Sequence, residues 1–143
     1  MPLRLDQHNN NPIIGIEKVI LSSLGWSASS LDKVVISESL TSEETGPWHN
    51  TRIISRADSH EQIAELKRQT GKDILVFGSH TLWNDLLAND LVDELHLMIG
   101  PVIIGAGTPV FDGQPSVSLQ LIDTRAWEGS GNILVRYDVR QKT

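Results

Sequence analysis

A glycine and two hydroxyl residues stand where an apolar run meets a helical pattern, and this junction has the residue types needed to bind an anion. The run Ile74–Phe77 is followed by Gly78-Ser79-His80-Thr81, where a leucine-rich helical pattern begins. Backbone N–H groups at a helix N-terminus have no acceptor within the helix, and the helix dipole adds positive potential, so such a turn attracts phosphate. A glycine there lets a ligand approach the backbone. The pattern predicts an anion site, although many strand-to-helix turns bind nothing.

Other motifs for phosphate binding or nucleophilic chemistry are incomplete. Gly100–Thr108 has the glycine spacing of a phosphate-binding loop, but Ala106 stands where that loop requires lysine. Ser79 follows a strand as a hydrolase nucleophile does, yet Phe77 and Thr81 replace the two glycines that flank such a serine. We therefore expect a turn or bulge in the first segment and no serine nucleophile in the second.

The histidines and acidic residues do not form a metal-binding motif. The five histidines are scattered, and the chain has no cysteine, which excludes thiolate zinc sites and thiol nucleophiles. We predict no metal site. Asp90, Asp93 and Glu94 cluster where a strand is predicted to begin. A solvated surface is the favoured interpretation of this cluster, and general acid–base catalysis is the alternative.

The composition limits the class of protein and its partners. A chain of 143 residues is expected to form one domain with a sizeable core. Its formal net charge of −6 argues against nucleic acid or an anionic membrane surface as the main partner. No apolar run approaches the length of a membrane span. Met1–Pro12 is polar, has no signal-peptide core and is predicted to be a flexible lead-in, so a cytoplasmic protein is the simplest interpretation.

Hydrophobic periodicity predicts the strands and helices that position the glycine turn. One helix is predicted from Ser59, in a capping box with Gln62, to Gly71, and a second begins at Ser79. Ile13–Leu24 fits either a strand or a short helix. The element order predicts an α/β fold with a parallel start and an antiparallel C-terminal hairpin. The predicted strands are Lys33–Ile36, Thr51–Ser55, Ile74–Phe77, Val92–Ile99 resumed by Val102–Ile104, Val117–Ile122 and Ile133–Val139.

The segment Lys72–Gly113 closely resembles the dihydrofolate reductase-like family, in the branch that includes the reductase domain of bacterial riboflavin biosynthesis. The shared pattern is a strand ending in Gly-Ser, a Thr-Leu helix start, a Leu-Val-Asp-Glu-Leu segment, a Pro-Val strand and a Gly-x-Gly bulge. The resemblance covers roughly residues 33–140 and implies a mixed sheet flanked by helices. The family's Ser-Leu-Asp-Gly substrate loop has no match ahead of Lys33. We therefore expect an N-terminally truncated member, with an atypical, partly flexible segment at 1–30 and a reductase domain at 31–143.

The resemblance also implies a function. It implies a reductase that transfers hydride from NADPH to a pterin-like or ribosylaminopyrimidine-like small molecule, and a homodimer. It implies that the adenosine end of NADPH lies at Ser37, whereas the neighbouring Glu38 would repel a 2′-phosphate and leaves NADH as an alternative. It assigns no catalytic residue. The residues implied to hold the pyrophosphate and the neighbouring ribose are Gly78, Ser79, His80, Thr81 and Leu82.

Three alternatives stay open at this point. The first is that the chain is a truncated, non-catalytic relative that acts as a nucleotide-binding or oligomeric scaffold protein. The second concerns the central strand that family members place beside Ile74–Phe77, which either Ile13–Leu24 or a partner chain would supply. The third is a cis peptide bond at Gly78-Ser79, since the dihydrofolate reductase branch has one at its corresponding glycine pair.

Overall fold

The computed structural model describes residues 3–4, 13–15, 32–43, 45, 50–71, 73–76, 78–111 and 116–140. Within these ranges the chain forms a parallel sheet, two helices and an antiparallel sheet. The strands and helices, in chain order, are β1 (Leu3–Arg4), β2 (Ile13–Gly15), β3 (Lys33–Ile36), β4 (Thr51–Ile54), α1 (Ser59–Arg68), β5 (Ile74–Val76), α2 (His80–Ala88), β6 (Glu94–Ile99), β7 (Ser118–Ala126) and β8 (Ile133–Arg140).

The parallel sheet has the strand order β1-β5-β2-β3-β4. All of its pairs are parallel, as in the register Ile14 with Val34 and Val35 with Ile53. The described side chains of β3 and β5 are buried throughout. Continuous apolar strands of this kind are typical of a parallel sheet, because such strands are covered on both faces. The α/β fold with a parallel start is therefore confirmed.

The strands β1 and β2 occupy both sides of β5. Leu3 pairs with Ile74, and Ile13 pairs with Leu75. Of the two sources left open for the strand beside β5, the chain itself supplies it, because β2, from the segment Ile13–Leu24, pairs with β5. The sequence ahead of Lys33 thus provides two short strands beside β5. One of them, β1, lies within the stretch predicted to be a lead-in. The part of the ambiguous segment Ile13–Leu24 that forms β2 is a strand, and its residues 16–24 lie outside the described residues.

The helix α1 begins as predicted, but with a different cap. Its N-cap is Asp58, and no side chain caps it. Ser59 is buried in the first turn and its hydroxyl donates to the Arg56 carbonyl at 2.7 Å. The predicted capping box of Ser59 with Gln62 is therefore wrong, because the preceding turn uses the serine hydroxyl. The helix also ends at Arg68, ahead of the predicted end at Gly71.

The helix α2 follows the predicted pattern. Ser79 is its N-cap and Asn89 its C-cap. Leu82, Leu86 and Leu87, spaced at helical intervals, are buried against the sheets. The core therefore lies between the two helices and the sheet strands, and it holds the start of α2 in a fixed position.

The antiparallel sheet has the order β6-β8-β7, with β7 at its edge. The strands β7 and β8 form the predicted C-terminal hairpin, whose turn contains Gly129 and Gly131 at positive φ angles of 76° and 68°. A bulge interrupts the register between Leu121 and Asp123. The predicted continuation of β6 over Val102–Ile104 is wrong, since these residues belong to no strand and their side chains are exposed. None of the described strands pairs with them.

Candidate cofactor site

The glycine turn lies at the switch point of the parallel sheet. The chain runs from β2 to its neighbour β3 and on to β4, whereas β5 lies on the other side of β2. The connection from β2 therefore leads to β3 on one side, whereas the connection from β5 leads through α2 to β6, which lies near β1 on the other side. In open α/β sheets a crevice forms at such a point, and ligands bind there. Gly78-Ser79 follows β5 directly at this edge.

The backbone of this turn has a conformation that suits glycine. Gly78 has a φ of 142°, in the region that residues with side chains rarely adopt, and the Gly78-Ser79 peptide bond is cis. Ser79 is extended, with no side-chain cap bond, and its carbonyl accepts the Trp83 N–H at 3.1 Å as α2 begins. The first turn of α2 contains no acidic residue. The N-terminus of α2 therefore presents positive potential to a ligand without a carboxylate to oppose an anion.

Two side chains of α2 join the start of this helix to the loop that follows β6. Asn84 is 6% exposed and its amide donates to the His80 carbonyl at 2.9 Å and to the Val110 carbonyl at 3.1 Å. Trp83 Nε1–H donates to the same Val110 oxygen at 2.8 Å, and its ring contacts His80 edge-on. Sequence reasoning missed this role of Asn84, although a buried asparagine in a leucine-rich helix indicates a backbone carbonyl nearby.

The second predicted part of the site lies at the same edge of the sheet. Ser37 follows β3, which is separated from β5 by β2 alone, or roughly 10 Å at the usual strand spacing. Its hydroxyl oxygen accepts the N–H groups of Ser39 at 3.3 Å and Leu40 at 3.1 Å. These bonds shape the loop after β3, and the serine proton stays available to donate. The fold thus brings the glycine turn and Ser37 to one edge.

Glu38 is held in place beside Ser37. Its Oε1 accepts the backbone N–H of Arg56 at 2.6 Å, which joins the loop after β3 to the loop after β4. The side chain is exposed. A charged acceptor of this kind fits a ribose hydroxyl and opposes a phosphate at the same place, as the acidic residue of dinucleotide-binding folds does.

The acidic cluster ahead of β6 makes ion pairs within the chain. Asp93 contacts Lys67 of α1 at 2.7 Å. Glu94 contacts Arg136 of β8 at 3.3 Å and His96 at 3.1 Å. These contacts join α1, β6 and β8. The ion pairs favour a structural role for Asp93 and Glu94 over both a solvated surface and general acid–base catalysis.

The described residues contain neither a metal site nor a membrane span. In these ranges, no three histidine, aspartate or glutamate side chains are grouped so as to hold a metal ion. Neither helix described above is long and apolar enough to cross a membrane.

Comparison with known families identifies the class of protein that this fold and site define. The RibD C-terminal domain family matches residues 16–135, which is most of the chain. The chain belongs to this family. The family match begins at residue 16, whereas the resemblance described from the sequence began at residue 33. The match therefore includes part of segment 1–30, which was predicted to be atypical.

Two proteins of Bacillus subtilis are similar to parts of the chain. The uncharacterised protein YyaP is 36% identical over 89 residues, which make up 62% of this chain and 47% of YyaP. The uncharacterised protein YwjB is 38% identical over 48 residues, or 34% of this chain and 28% of YwjB. The chain thus spans less than half the length of either curated relative.

Solved structures share the fold. A candidate riboflavin biosynthesis protein of Shewanella sp. PV-4 matches with a TM-score of 0.70 and 19% identity, over 92% of this chain and 75% of that one. RibD of Acinetobacter baumannii matches with a TM-score of 0.62 and 13% identity, over 92% of this chain and 47% of that one. A pyrimidine reductase-like protein of Corynebacterium diphtheriae matches with a TM-score of 0.53 and 20% identity, over 79% of this chain and 51% of that one. The dihydrofolate reductase-like architecture is therefore confirmed.

Proposed function

We propose that the chain is a reductase that transfers hydride from NADPH to a pterin-like or ribosylaminopyrimidine-like substrate. The observation that carries the proposal is the position of Gly78-Ser79, at the switch point of the sheet and at the N-terminus of α2. Membership of the RibD C-terminal domain family and the reductase-like relatives in fold support the same chemistry. The non-catalytic scaffold is not favoured, since the fold retains the complete strand–turn–helix unit.

The residues of the turn suit a dinucleotide. In the proposal, the backbone N–H groups at the start of α2 bind the pyrophosphate, and Gly78 leaves room for its approach. Ser79, His80 and Thr81 line this part of the site, and Leu82, whose side chain is buried in the core, contributes its backbone N–H. Ser37 binds the adenosine end with the hydroxyl proton that its own loop leaves available.

The reduced nicotinamide would supply a hydride to a carbon atom of the substrate. The atom next to that carbon would take up a proton, whose donor the family resemblance does not assign. The chain's own contribution is positioning, since holding the two reactants in contact accounts for much of the rate in such reactions. Asn84 serves this role through Val110, because its two hydrogen bonds fix the loop after β6 against the start of α2.

The proposed reductase acts in the cytoplasm as a homodimer on a small molecule. The cysteine-free composition supports a reducing compartment. The resemblance to dimeric reductases supports the assembly.

The test is substrate-dependent oxidation of NADPH, followed by loss of absorbance of the reduced nicotinamide. Pterins and ribosylaminopyrimidine phosphates are supplied as two substrate panels, with NADH in parallel. Turnover with a member of either panel supports the proposal. Cofactor binding without turnover on both panels would instead support the scaffold, and absence of binding would contradict both.

A further inference from the structure

A buried histidine on β6 has one ring nitrogen without a partner. The side chain of His96 is 4% exposed, and it lies on the face of the antiparallel sheet opposite to the one from which Leu95 and Leu97 pack into the core. Among the described residues, none bonds to its Nδ1, and this atom is itself buried. Buried polar atoms nearly always have a hydrogen-bond partner, so an orphaned one points to a ligand or to a role in chemistry.

The other ring nitrogen of this histidine, Nε2, is held by charged groups. It lies 3.1 Å from Oε2 of Glu94 and 3.4 Å from Nε of Arg136, which stands opposite His96 in the register of β8. Arg136 also contacts the same Glu94 oxygen at 3.3 Å and Asp123 of β7 at 2.9 Å. We call Glu94, His96, Arg136 and Asp123 the polar cluster. Its contacts fix the ring, so Nδ1 keeps one direction.

A histidine held in this way has the arrangement of a general acid. A carboxylate on one ring nitrogen orients the ring and stabilises its positive charge, while the other nitrogen exchanges a proton with the substrate. When the ring is charged, Nε2–H donates to Glu94 and Nδ1 also carries a proton. After Nδ1 has lost that proton, the Nε2–H bond to Glu94 is unchanged. Glu94 thus keeps the structural role that its ion pairs indicate, and His96 alone exchanges the proton.

The carboxyl end of β6 lies at the same edge of the fold as the glycine turn. The loop that leaves this end reaches the start of α2, where the Val110 carbonyl accepts hydrogen bonds from Trp83 and Asn84. Met98 follows His96 on the same face by alternation, and it is 47% exposed. The face is therefore open on the side from which a ligand at this edge approaches His96.

The proposed position of the cofactor directs its nicotinamide toward β6. The strand β5 has β2 on one side and β1 on the other, and β1 also contacts β6. In the proposed function, the pyrophosphate binds after β5 and the adenosine end lies at Ser37, on the side of β2 and β3. The nicotinamide end of an extended dinucleotide then lies on the opposite side, toward β1 and β6. The substrate that it reduces therefore lies near the carboxyl end of β6.

We propose that His96 donates the proton of the reduction through Nδ1, and that Glu94 and Arg136 position its ring. The assignment rests on the proposed function. A carbon–nitrogen or carbon–oxygen double bond of the substrate receives the hydride on carbon and the His96 proton on nitrogen or oxygen. Its π bond breaks, one C–H bond and one N–H or O–H bond form, and NADPH is oxidised to NADP⁺. The neutral ring regains a proton from water before the next turnover.

The proposed role makes the rate depend on pH. Because the donor must be protonated, kcat should fall as the pH rises through the titration of His96 in the complex with substrate. The Glu94 carboxylate favours the charged ring, so Glu94→Gln should move this fall to lower pH. The described charged side chains on this face of the three strands are Glu94 of β6, Arg136 and Asp138 of β8, and Asp123 and Arg125 of β7.

The experiment combines kinetics with NMR of the full chain, using NADPH and the two substrate panels of the reductase assay. His96→Gln should lower kcat at least about 100-fold, whereas NADPH should stabilise this variant as much as the wild type, because the proton donor is lost and the cofactor site is not. In wild type labelled with ¹⁵N-histidine, substrate should shift the Nδ1 signal of His96, and this ring should titrate at the pH at which kcat falls. Glu65→Gln removes another carboxylate that is paired with an arginine and should leave the pH profile unchanged, which controls for Glu94→Gln.

The outcomes separate the proton donor from the reductase. A wild type that turns over no member of either panel would overturn the reductase and this role of His96 together. Turnover by the wild type with an unchanged kcat in His96→Gln, or with a His96 ring that titrates at a different pH from the rate, would overturn the proton donor alone. If His96→Gln does not fold, the comparison of ring titration and pH profile in the wild type still decides the proposal.

Discussion

Gly78 and Glu38 mark the two ends of the proposed cofactor site and differ in how tightly the structure constrains them. The backbone restricts which residue can stand at Gly78, because a φ of 142° is unfavourable for residues with side chains. The position of the Glu38 carboxylate is held by one hydrogen bond, which the Arg56 N–H donates. In the proposed function, Gly78 therefore governs whether a dinucleotide binds, and Glu38 governs which dinucleotide is preferred.

Glu38→Gln should change the choice between NADPH and NADH. The glutamine oxygen still accepts the Arg56 N–H, so the loop keeps its shape while the negative charge is lost. We expect the affinity for NADPH to rise about tenfold relative to NADH, which corresponds to about 1.4 kcal/mol. Fluorescence titration of each cofactor measures the ratio. Glu61→Gln, in the first turn of α1, is the matched control. An unchanged ratio in Glu38→Gln would show that the carboxylate does not face the 2′ position.

Lys33 gives the fold a dependence on alkaline pH. It is 2% exposed at the start of β3, and burial lowers the pKa of its ammonium from 10.5, with Asp32 acting in the opposite direction. Between the lowered pKa and 10.5 the unfolded chain binds the extra proton, so the free energy of unfolding rises with pH in that window. Urea unfolding at a series of pH values should show this rise in the wild type and not in Lys33→Met. If the free energy of unfolding changes with pH in the same way in the two proteins, the pH dependence does not come from Lys33.

At the scale of elements, α2 connects the site to the rest of the fold. His60 of α1 contacts Asp85 of α2 at 2.6 Å, and Asn84 joins α2 to the loop after β6. These contacts fix the direction of α2, and hence of its N-terminus, relative to the sheet edge.

Asn84→Ala should destabilise the chain and loosen this loop. The part-buried hydrogen bonds to the His80 and Val110 carbonyls are lost, and each bond of this kind contributes about 0.5–1.5 kcal/mol. At this chain length each kcal/mol lowers the melting temperature by about 2–4 °C. Asn89→Ala removes an exposed asparagine that bonds to Asp85 at the other end of the helix and should cost much less. Equal melting temperatures for the two variants would show that the loop contact contributes little.

Short-range sequence patterns predicted the strands and helices whose formation depends mainly on neighbouring residues. The strand β3 and the start of α2 were found at the predicted residues, because a short apolar run and a leucine-rich helical pattern are encoded by neighbours in sequence. The capping box at Ser59 failed because another local acceptor, the Arg56 carbonyl, takes the hydroxyl. The strand prediction for Val102–Ile104 failed because β-branched residues favour a strand, but a strand also needs a partner, and no described strand lies beside this segment.

The candidate site could be predicted only where it depends on neighbours in sequence. The glycine turn could be located because strand, glycine and helix are contiguous. The contacts that complete the site join residues 26 positions apart in Asn84 and Val110, and 18 positions apart in Glu38 and Arg56. Single-sequence patterns carry no information on such pairs, which only the folded sheet order brings together.

At the scale of the whole molecule, the two sheets have different tasks. The parallel sheet forms the edge where the cofactor is proposed to bind, and the antiparallel sheet carries β6, whose following loop reaches the start of α2. The strand β1 lies beside both β5 and β6 and so joins the two sheets. The loop after β6 runs from the β7–β8 turn, where Pro101 lies against Gly131, to Val110 at the start of α2, so both sheets help to position the proposed site.

Thermal unfolding with saturating NADPH or NADH tests the central claim, that the turn at Gly78 binds a nicotinamide dinucleotide. At 100 times the dissociation constant, the ligand should raise the free energy of unfolding of the wild type by about 2.7 kcal/mol. Gly78→Val should abolish this gain. Gly129→Val, at another glycine with positive φ and open space around it, should lose a similar amount of intrinsic stability and keep the gain. A wild type that neither dinucleotide stabilises, or a Gly78→Val variant stabilised as much as the wild type, would contradict the account.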